Sequence, residues 1–290
     1  MNLRDLRHLR FNSAFARQAL GLVFQPGRPY PLWWGPLRGV KLQYDESINF
    51  HAILGLWDSE TFKILDRVFV RDGLLPGDCT IADIGGNIGY YTIWFAKIAA
   101  GRGHVYTFEP NPDVLKVLRI NLELNQLKNV EVLQTACGDR IGTSDFYLAS
   151  HHHSSSLHAE WAGGGEAESA RRISVPMTTL DSFFAPEMGH GSPSFLKIDI
   201  EGGGTFALPG CRRLFTACRP YVLVESHTPD EDRAISDVLC GFDYRGYRLN
   251  DRQWVKKPGS THPEKEGVWG TLLLTPAESS SRVSDSLARM

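Results

Sequence analysis

The stretch that decides the fold is Asp83-Ile-Gly-Gly-Asn-Ile-Gly-Tyr-Tyr-Thr92. It begins inside the short apolar, β-branched run Thr80–Ile84, which predicts a parallel strand buried on both faces. It leads into the apolar run Tyr90–Ala100, which predicts a helix. Glycines at such a turn let the backbone approach a ligand closely and expose the N–H groups of the helix start. The sequence therefore indicates a ligand-binding strand–loop–helix unit.

The elements around this unit repeat the strand–helix order. Periodicity and turn signals predict, in chain order, helix Asp58–Val70 behind an Asp/Ser cap, strand His104–Phe108, helix Asp113–Asn125, strands Val130–Gln134 and Phe195–Ile200, a helix after Glu201, strand Tyr221–Glu225, helix Asp230–Cys240 and an antiparallel pair of Tyr244–Leu249 with Gly267–Leu274. This order predicts an α/β fold with a mostly parallel, doubly wound, Rossmann-like sheet and right-handed crossovers.

Three segments depart from this rhythm. Between about 140 and 180, the runs Phe146–Leu148 and Ile173–Met177 predict an inserted β-hairpin whose tip is rich in His, Ser and Gly. Residues 1–50 read as an N-terminal extension with a helix near 3–20 and a strand near Val40–Tyr44. We expect one domain over 51–275 and a disordered Ser-rich tail over 276–290.

Composition and charge limit the classes of binding partner that we expect for this chain. The 290 residues carry a formal net charge of −2, so no global field would attract nucleic acid, and we expect none as a partner. The five cysteines are scattered without a C-x-x-C pair, which argues against a zinc site and a disulfide framework. With no long apolar run and no leader pattern, we expect a cytoplasmic protein without a membrane partner. The apolar, aromatic N-terminal extension suits a homodimer contact.

The ligand is indicated by the acids around the glycine loop. Glu109 closes the second strand, where an acid can accept both hydroxyls of a ribose. The spacing of Gly85, Gly86 and Gly89 does not give G-x-G-x-x-G, so the loop lacks the pyrophosphate cradle of dinucleotide-binding folds. Asp83 ahead of the loop suits a ligand with an ammonium group and a sulfonium charge. S-adenosylmethionine has both, and NAD has neither.

Four ordered motifs resemble one family. Asp83–Thr92, Phe108-Glu-Pro-Asn-Pro112, Thr178-Thr-Leu-Asp-Ser-Phe183 and Leu196-Lys-Ile-Asp-Ile-Glu-Gly202 together resemble the FkbM methyltransferases over about residues 57–275. The resemblance implies a class I methyltransferase fold, S-adenosylmethionine as methyl donor, and methylation of a hydroxyl on a secondary metabolite such as a polyketide, or on a sugar.

Family positions carry over to individual residues. By resemblance Asp83, Gly85, Asn87 and Glu109 hold the cofactor, and the segment 136–139 borders the adenine. The full set that we predict to bind the cofactor is Asp83, Gly85, Gly86, Asn87, Gly89, Glu109, Asn111, Cys137, Gly138 and Asp199. One departure is Gly204, which stands where relatives usually have an acid.

An alcohol acceptor needs its proton removed, and His227 after the fifth strand is our preferred general base. Asp199 and Glu201, which follow the neighbouring strand, are the competing bases or orienting groups. That pair of carboxylates would also suit a divalent cation, but we predict no required metal. Lys197 lies inside a buried strand, where we expect a structural role.

Acceptor contacts are predicted from two aromatic or polar segments. His152, His153 and Ser155 at the hairpin tip indicate a substrate-facing or lid loop rather than a metal site. Trp33 and Trp34 either roof the acceptor pocket or clamp the sheet, and the sequence favours neither. Two other functions stay open: an NAD-dependent oxidoreductase, and an S-adenosylmethionine-binding protein without turnover, which only the run of glycines at 202–204 supports.

Overall fold

The computed structural model describes residues 24–44, 50–99, 101–149, 155–159 and 171–290. The strands are β1 (Pro29–Pro31), β2 (Lys41–Gln43), β3 (Thr80–Ile84), β4 (His104–Phe108), β5 (Val130–Leu133), β6 (Ala136–Cys137), β7 (Gly142–Leu148), β8 (Arg171–Thr178), β9 (Pro193–Ile198), β10 (Tyr221–Glu225), β11 (Tyr244–Arg248), β12 (Gln253–Trp254) and β13 (Thr271–Pro276). The α-helices are α1 (Phe50–Ile53), α2 (Ser59–Leu65), α3 (Tyr90–Ile98), α4 (Pro112–Leu124), α5 (Leu180–Phe183), α6 (Gly204–Ala207), α7 (Arg212–Ala217), α8 (Pro229–Gly241) and α9 (Ser280–Ala288). A π-helical segment, Asp66–Arg71, continues α2.

The main sheet has the strand order β12-β11-β13-β10-β9-β3-β4-β5 within the described chain. The pairs from β10 to β5 are parallel, and β13 pairs antiparallel with both β10 and β11. The chain moves outward from β3 through β4 to β5 and then returns to place β9 on the other side of β3. The carboxyl ends of β3 and β9 therefore meet at a topological switch point, where ligands bind in doubly wound sheets. This is the mostly parallel, doubly wound α/β sheet that the sequence predicts.

The main sheet lies between two hydrophobic cores, because its central strands have apolar residues on both faces. Along β3, Ile81 packs into the core on one face and Ala82 into the core on the other, and both are fully buried. Successive side chains of a strand point to opposite faces, so continuous apolar runs are required when helices cover both sides. The predicted bounds of β3, β4 and β10 agree with the structure for this reason, whereas β9 covers Pro193–Ile198 and begins and ends two residues before the predicted Phe195–Ile200.

The inserted hairpin is confirmed, and it belongs to a second small sheet. Strands β7 and β8 pair antiparallel over Gly142–Leu148 and Arg171–Thr178, and β6 pairs parallel with β8. Phe146, Val175 and Met177 form the centre of its own apolar cluster. The insertion thus begins after β5 and β6, beside the carboxyl edge of the main sheet.

The N-terminal segment packs on the outside of the sheet. Strands β1 and β2 form a two-stranded antiparallel sheet, so the predicted strand near 40–44 exists. The backbone N–H groups of Lys41 and Gln43 donate to the side-chain oxygens of Asn125 and Asn121, which ties the segment to α4. The helix predicted near 3–20 lies outside the described residues.

The prediction of a disordered tail is wrong, because residues 280–288 form α9. Val283 is fully buried, and Leu287, one turn later on the same face, packs against the same core. The Ser286 hydroxyl donates to Asp72, and the Arg289 guanidinium lies 2.8 Å from the same carboxylate. The apolar spacing and these distant partners order a segment whose composition is typical of a flexible tail.

A second correction concerns the start of α2. Asp58 precedes this helix, but its side chain makes no capping hydrogen bond, and its backbone is left-handed at φ 48°. The carboxylate turns away from the helix and accepts a hydrogen bond from the Tyr91 hydroxyl at 3.0 Å. No helix in the described ranges has the length and hydropathy that crossing a bilayer would need.

Candidate active site

A cavity opens at the carboxyl ends of β3, β4, β9 and β10. The glycine loop that follows β3 forms its floor through Gly85, Gly86, Asn87 and Ile88. Gly85 has φ +81°, and a Cβ on this residue would lie 2.1 Å from the carbonyl oxygen of Asp199. The loop therefore presses against the end of β9, and only glycine fits there. Gly89, the last loop residue in our predicted set, is not in the cavity wall and directly precedes α3.

Glu109 is a buried carboxylate aimed at the cavity from the end of β4. It is 7% exposed, and its two oxygens accept hydrogen bonds from the backbone N–H groups of Asn87 and Asn111, each at 2.9 Å. Burial raises the pKa of Glu109 to about 7 in spite of these two bonds. The loop thus fixes the orientation of the carboxylate, and its remaining lone pairs suit the two hydroxyls of a ribose.

The wall beyond Glu109 is largely apolar. Cys137 lies in it, and Phe146 and Leu157 of the insertion close it from the other side. Such a wall fits a flat, uncharged base. Two other predicted cofactor residues are absent from the wall. Asn111 caps α4, its Oδ1 accepting from the N–H of Asp113, and the Cα of Gly138 faces Met177, whose sulfur a Cβ would meet at 2.4 Å.

Asp83 does not reach the cavity, which corrects its predicted role toward the positive charges of the cofactor. Its carboxylate is fully buried beneath the loop, accepts a hydrogen bond from the Thr92 hydroxyl at 2.6 Å, and lies 3.5 Å from the Lys197 ammonium. Residues 83 and 197 are register partners on β3 and β9. The acid ahead of the glycine loop therefore forms a buried ion pair beneath the site.

Lys197 has a larger part than the sequence suggested. Its ammonium lines the cavity, donates to the carbonyl oxygen of Gly85 at 2.9 Å, and lies 3.4 Å from Asp199 Oδ2. It is 4% exposed, so these contacts are made away from bulk water. A single cation among the apolar residues of β9, opposite the acid of the neighbouring strand, was the sequence signal for this arrangement.

The three predicted catalytic residues come together at the ends of β9 and β10. His227 Nε2 lies 3.1 Å from Asp199 Oδ1, and Nδ1 lies 3.8 Å from Glu201 Oε2. Burial favours the neutral imidazole, but the surrounding carboxylates, Glu201 foremost, outweigh that effect and raise the pKa of His227. The ring is thus held between two acids in the cavity wall.

Glu231 occupies the space beside Gly204. Its carboxylate accepts hydrogen bonds from the backbone N–H of Gly204 at 2.9 Å and from that of His227 at 2.8 Å. A Cβ on Gly204 would lie 2.8 Å from Glu231 Oε1. An acid therefore occupies this place, but it comes from α8 and not from position 204. Gly204 leaves room for its carboxylate. The glycine run at 202–204 gives no sign of a damaged site.

The same three catalytic residues form a donor set that could hold a metal ion. Asp199, Glu201 and His227 each offer one ligand atom, and these atoms all lie within 4.8 Å of one another. Carboxylate and imidazole donors suit several divalent cations. In the structure the imidazole of His227 and the Lys197 ammonium face these carboxylates.

Sequence reasoning missed the wall on the side of α2 and α3. Trp57, Asp58, Tyr90 and Tyr91 line the cavity there. Glu225, which the sequence indicates as a strand-end acid bordering the crevice, lines the cavity from the end of β10. Burial raises the pKa of Glu225 to about 7, and the nearby Asp199 carboxylate adds to this effect. Residues 57 and 58 precede the glycine loop by a whole helix, so no local pattern joined them to it.

The residues predicted to contact the acceptor do not all line the cavity. Ser155 lines the cavity. His152 and His153 lie outside the described residues. Trp33 and Trp34 are 44% and 40% exposed and do not line the cavity. They follow β1 in the segment that packs on α4, and their rings contact each other at a centroid distance of 5.7 Å. The structure therefore gives no support to a roof over the acceptor.

Comparison with known proteins identifies the family to which the chain is similar. The family model described as the methyltransferase FkbM domain matches residues 83–249. The chain is 36% identical over 78 residues to the antimetabolite synthetase AmbE of Pseudomonas aeruginosa, and 29% identical over 68 residues to a protein-L-isoaspartate O-methyltransferase of Methanothrix thermoacetophila. These matches cover 25% and 23% of this chain, but only 4% and 30% of those proteins. A crystal structure of an FkbM methyltransferase from Methylobacillus flagellatus has a TM-score of 0.45 and 16% identity, covering 79% of this chain and 55% of that one.

Proposed function

The chain belongs to the FkbM family of methyltransferases, with S-adenosylmethionine as its methyl donor, and we propose that it methylates a hydroxyl oxygen of a small molecule. The acceptor class that we favour is a secondary metabolite such as a polyketide, or a sugar. The observation that carries the proposal is the contact of 3.1 Å between His227 and Asp199 in the cavity that also holds the glycine loop and Glu109.

The residues divide the cavity into a donor half and an acceptor half. Glu109 and the wall around Cys137 suit the ribose and the adenine of the cofactor, and both lie on the β4 side of the glycine loop. Asp199 and His227 lie on the β9 and β10 side. A hydroxyl placed between the two halves would have a base on one side and the activated methyl group on the other.

The cofactor supplies a methyl group that is already activated by its sulfonium, so alignment is the main demand on the protein. Transfer of this methyl group would form the bond from the acceptor oxygen to the methyl carbon and return the carbon–sulfur electrons to sulfur. Asp199 accepts from His227 Nε2–H and so leaves the Nδ1 lone pair to take the hydroxyl proton. Glu201, at 3.8 Å from Nδ1, stabilises the imidazolium that results.

The charge of the site favours a small acceptor over a nucleic acid. The cavity wall contains five carboxyl groups, from Asp58, Glu109, Asp199, Glu201 and Glu225, against the Lys197 ammonium and the imidazole of His227. The whole chain carries a net charge of −2. A polyanionic strand would meet like charge at the reacting end, where phosphate-binding proteins place Lys and Arg.

The test is a methyl-transfer assay with isotope-labelled S-adenosylmethionine and a panel of hydroxylated metabolites and sugars. We expect a methyl ether, identified by mass spectrometry and NMR. His227→Ala should lower the rate at least a hundredfold while S-adenosylhomocysteine binds as in the parent, because loss of a general base costs about 10²–10⁴-fold. A methylamine product, label found only in RNA, or an unchanged rate in His227→Ala would overturn the proposal.

The same assay separates the alternatives. A protein that binds the cofactor without turnover would give no labelled product with any acceptor. Our interpretation assigns no metal to the reaction, so the rate should persist in a chelator. Loss of activity in EDTA with recovery on Mg²⁺ or Mn²⁺ addition would instead assign a cation to Asp199, Glu201 and His227.

A further inference from the structure

The burial of Asp83 leaves the ammonium group of the cofactor without the carboxylate that the sequence assigned to it. An ammonium in a partly dry cavity requires a hydrogen-bonded anion or an equivalent set of acceptors. Besides Glu109, four acids line the cavity, and they are Asp58, Asp199, Glu201 and Glu225. Asp199 already faces both Lys197 and His227, and Glu201 faces His227.

Asp58 is held as a ligand-facing group rather than as a helix cap. Its left-handed backbone turns the side chain off the start of α2, and Oδ2 accepts from the Tyr91 hydroxyl at 3.0 Å. Its Oδ1 accepts no hydrogen bond from any residue that the structure describes. Tyr91 is the second residue of the helix that follows the glycine loop, so this bond places the carboxylate at the edge of the loop.

Aromatic side chains line the cavity together with this carboxylate. Trp57 precedes Asp58 in the chain, Tyr91 donates to Asp58, and Tyr90 is the neighbour of Tyr91 in α3. The rings of Trp57 and Tyr90 lie 5.7 Å apart between centroids. Aromatic faces attract ammonium groups through the ring quadrupole, so a carboxylate and aromatic rings in one wall suit a protonated amine.

The position of Asp58 suits the amino-acid end of the cofactor. Residues around Cys137 and Glu109 would hold the base and the ribose on one side of the glycine loop, which leaves the side of Gly85 and Lys197 for the amino-acid end. Lys197 touches Gly85 there, and the Lys197 ammonium lies 5.1 Å from the centroid of the Tyr91 ring. Asp58 is joined to the same group through Tyr91.

We infer that Asp58, with the rings of Trp57 and Tyr90, binds the α-ammonium group of S-adenosylmethionine. The carboxylate comes from outside the segment 83–249 that matches the family model. Burial raises the pKa of Asp58, and the nearby Asp199 adds to it, so a bound cation relieves an unfavourable charge. The inference rests on the proposed function only in its cofactor, and it does not depend on the acceptor.

The test compares two ligands by calorimetry. S-adenosylhomocysteine carries the amino-acid end, and 5′-methylthioadenosine lacks it. We expect Asp58→Asn to weaken S-adenosylhomocysteine binding at least tenfold and to leave methylthioadenosine binding unchanged, because a charge-assisted hydrogen bond is lost only for the ligand that carries the ammonium group. Tyr91→Phe, which frees the carboxylate, should weaken S-adenosylhomocysteine binding less, and again without an effect on methylthioadenosine.

Two controls separate this inference from its neighbours. Glu225→Gln removes a charge from the same cavity and should weaken S-adenosylhomocysteine binding less than Asp58→Asn does. Glu109→Ala should weaken both ligands, since both carry the ribose. Equal losses for the two ligands in Asp58→Asn, no loss for either, or an equal loss in Glu225→Gln would overturn the inference. Undiminished binding of both ligands to Glu109→Ala would instead overturn the assignment of the cofactor site.

Discussion

At the scale of single residues, the role of each buried carboxylate in the site depends on the group that it contacts. Asp83 is fully buried, and the Lys197 ammonium lies 3.5 Å from it. Glu109 is nearly as buried, and its neighbours are two backbone N–H groups. Burial raises the pKa of both carboxyl groups, to about 7 for Glu109; the Lys197 ammonium is the main group that opposes this rise at Asp83, whereas the two N–H groups oppose it at Glu109. The structural acid therefore faces a cation, whereas amides orient the ligand-binding acid.

The His227 base gives a residue-scale prediction about pH. A base must be unprotonated, so the rate should rise with pH through the pKa of His227, which the acids around it raise. Glu201 makes the largest of these raising contributions. Glu201→Gln should therefore move the midpoint of the kcat profile to lower pH, since the imidazole loses its proton more easily without that charge.

The measurement is kcat against pH for the parent and for Glu201→Gln, with saturating cofactor. Glu187→Gln, at an exposed acid far from the cavity, serves as the matched control and should leave the midpoint where it was. A midpoint that stays put in Glu201→Gln, or moves to higher pH, would contradict the assignment of His227 as the titrating base.

At the scale of elements, the strands were readable from the sequence and several contacts between distant segments were not. The bounds of β3, β4 and β10 agree with their apolar runs because a strand covered on both faces must be apolar throughout. The glycine loop and Glu109 were found for a related reason, since each directly follows such a strand. Asp58 was missed because its left-handed backbone and its Tyr91 partner are set by tertiary packing.

The C-terminal helix α9 shows the same limit. Its composition is serine-rich, and an isolated helix of this length would be marginal in water. Packing of Val283 and the bonds of Ser286 and Arg289 to Asp72 supply what composition lacks. These partners lie more than two hundred residues apart in sequence, so no window-based pattern could have joined them.

This packing predicts an effect on stability. Val283→Ala should lower the free energy of unfolding by about 2 kcal/mol, since it removes buried methyl groups and leaves a gap against the core. Urea denaturation followed by circular dichroism measures the change. Arg282→Ala, one residue away on the exposed face of α9, should change it little. Equal stability of the Val283→Ala variant and the parent would mean that the helix contributes nothing to the fold.

At the scale of the whole molecule, the cavity draws on segments that folding alone brings together. Its wall contains Trp57 before the sheet begins, Glu109 after β4, Leu157 of the insertion and His227 after β10. A ligand that fills the cavity contacts all of these at once. It binds the folded chain and not the unfolded one, so it must raise the stability of the entire fold.

The two candidate cofactors, S-adenosylmethionine and NAD, should differ in this stabilising effect. S-adenosylhomocysteine should raise the melting temperature in proportion to the logarithm of its concentration, reaching about 2.7 kcal/mol of added stability at a hundredfold excess over Kd. NADH should leave the melting temperature unchanged, because the loop lacks glycines in register for a pyrophosphate and Glu109 can serve only one ribose. Differential scanning fluorimetry at matched concentrations measures both. Glu109→Ala should lose most of the shift with S-adenosylhomocysteine, and stabilisation by NADH in preference to S-adenosylhomocysteine would contradict the cofactor assignment at its root.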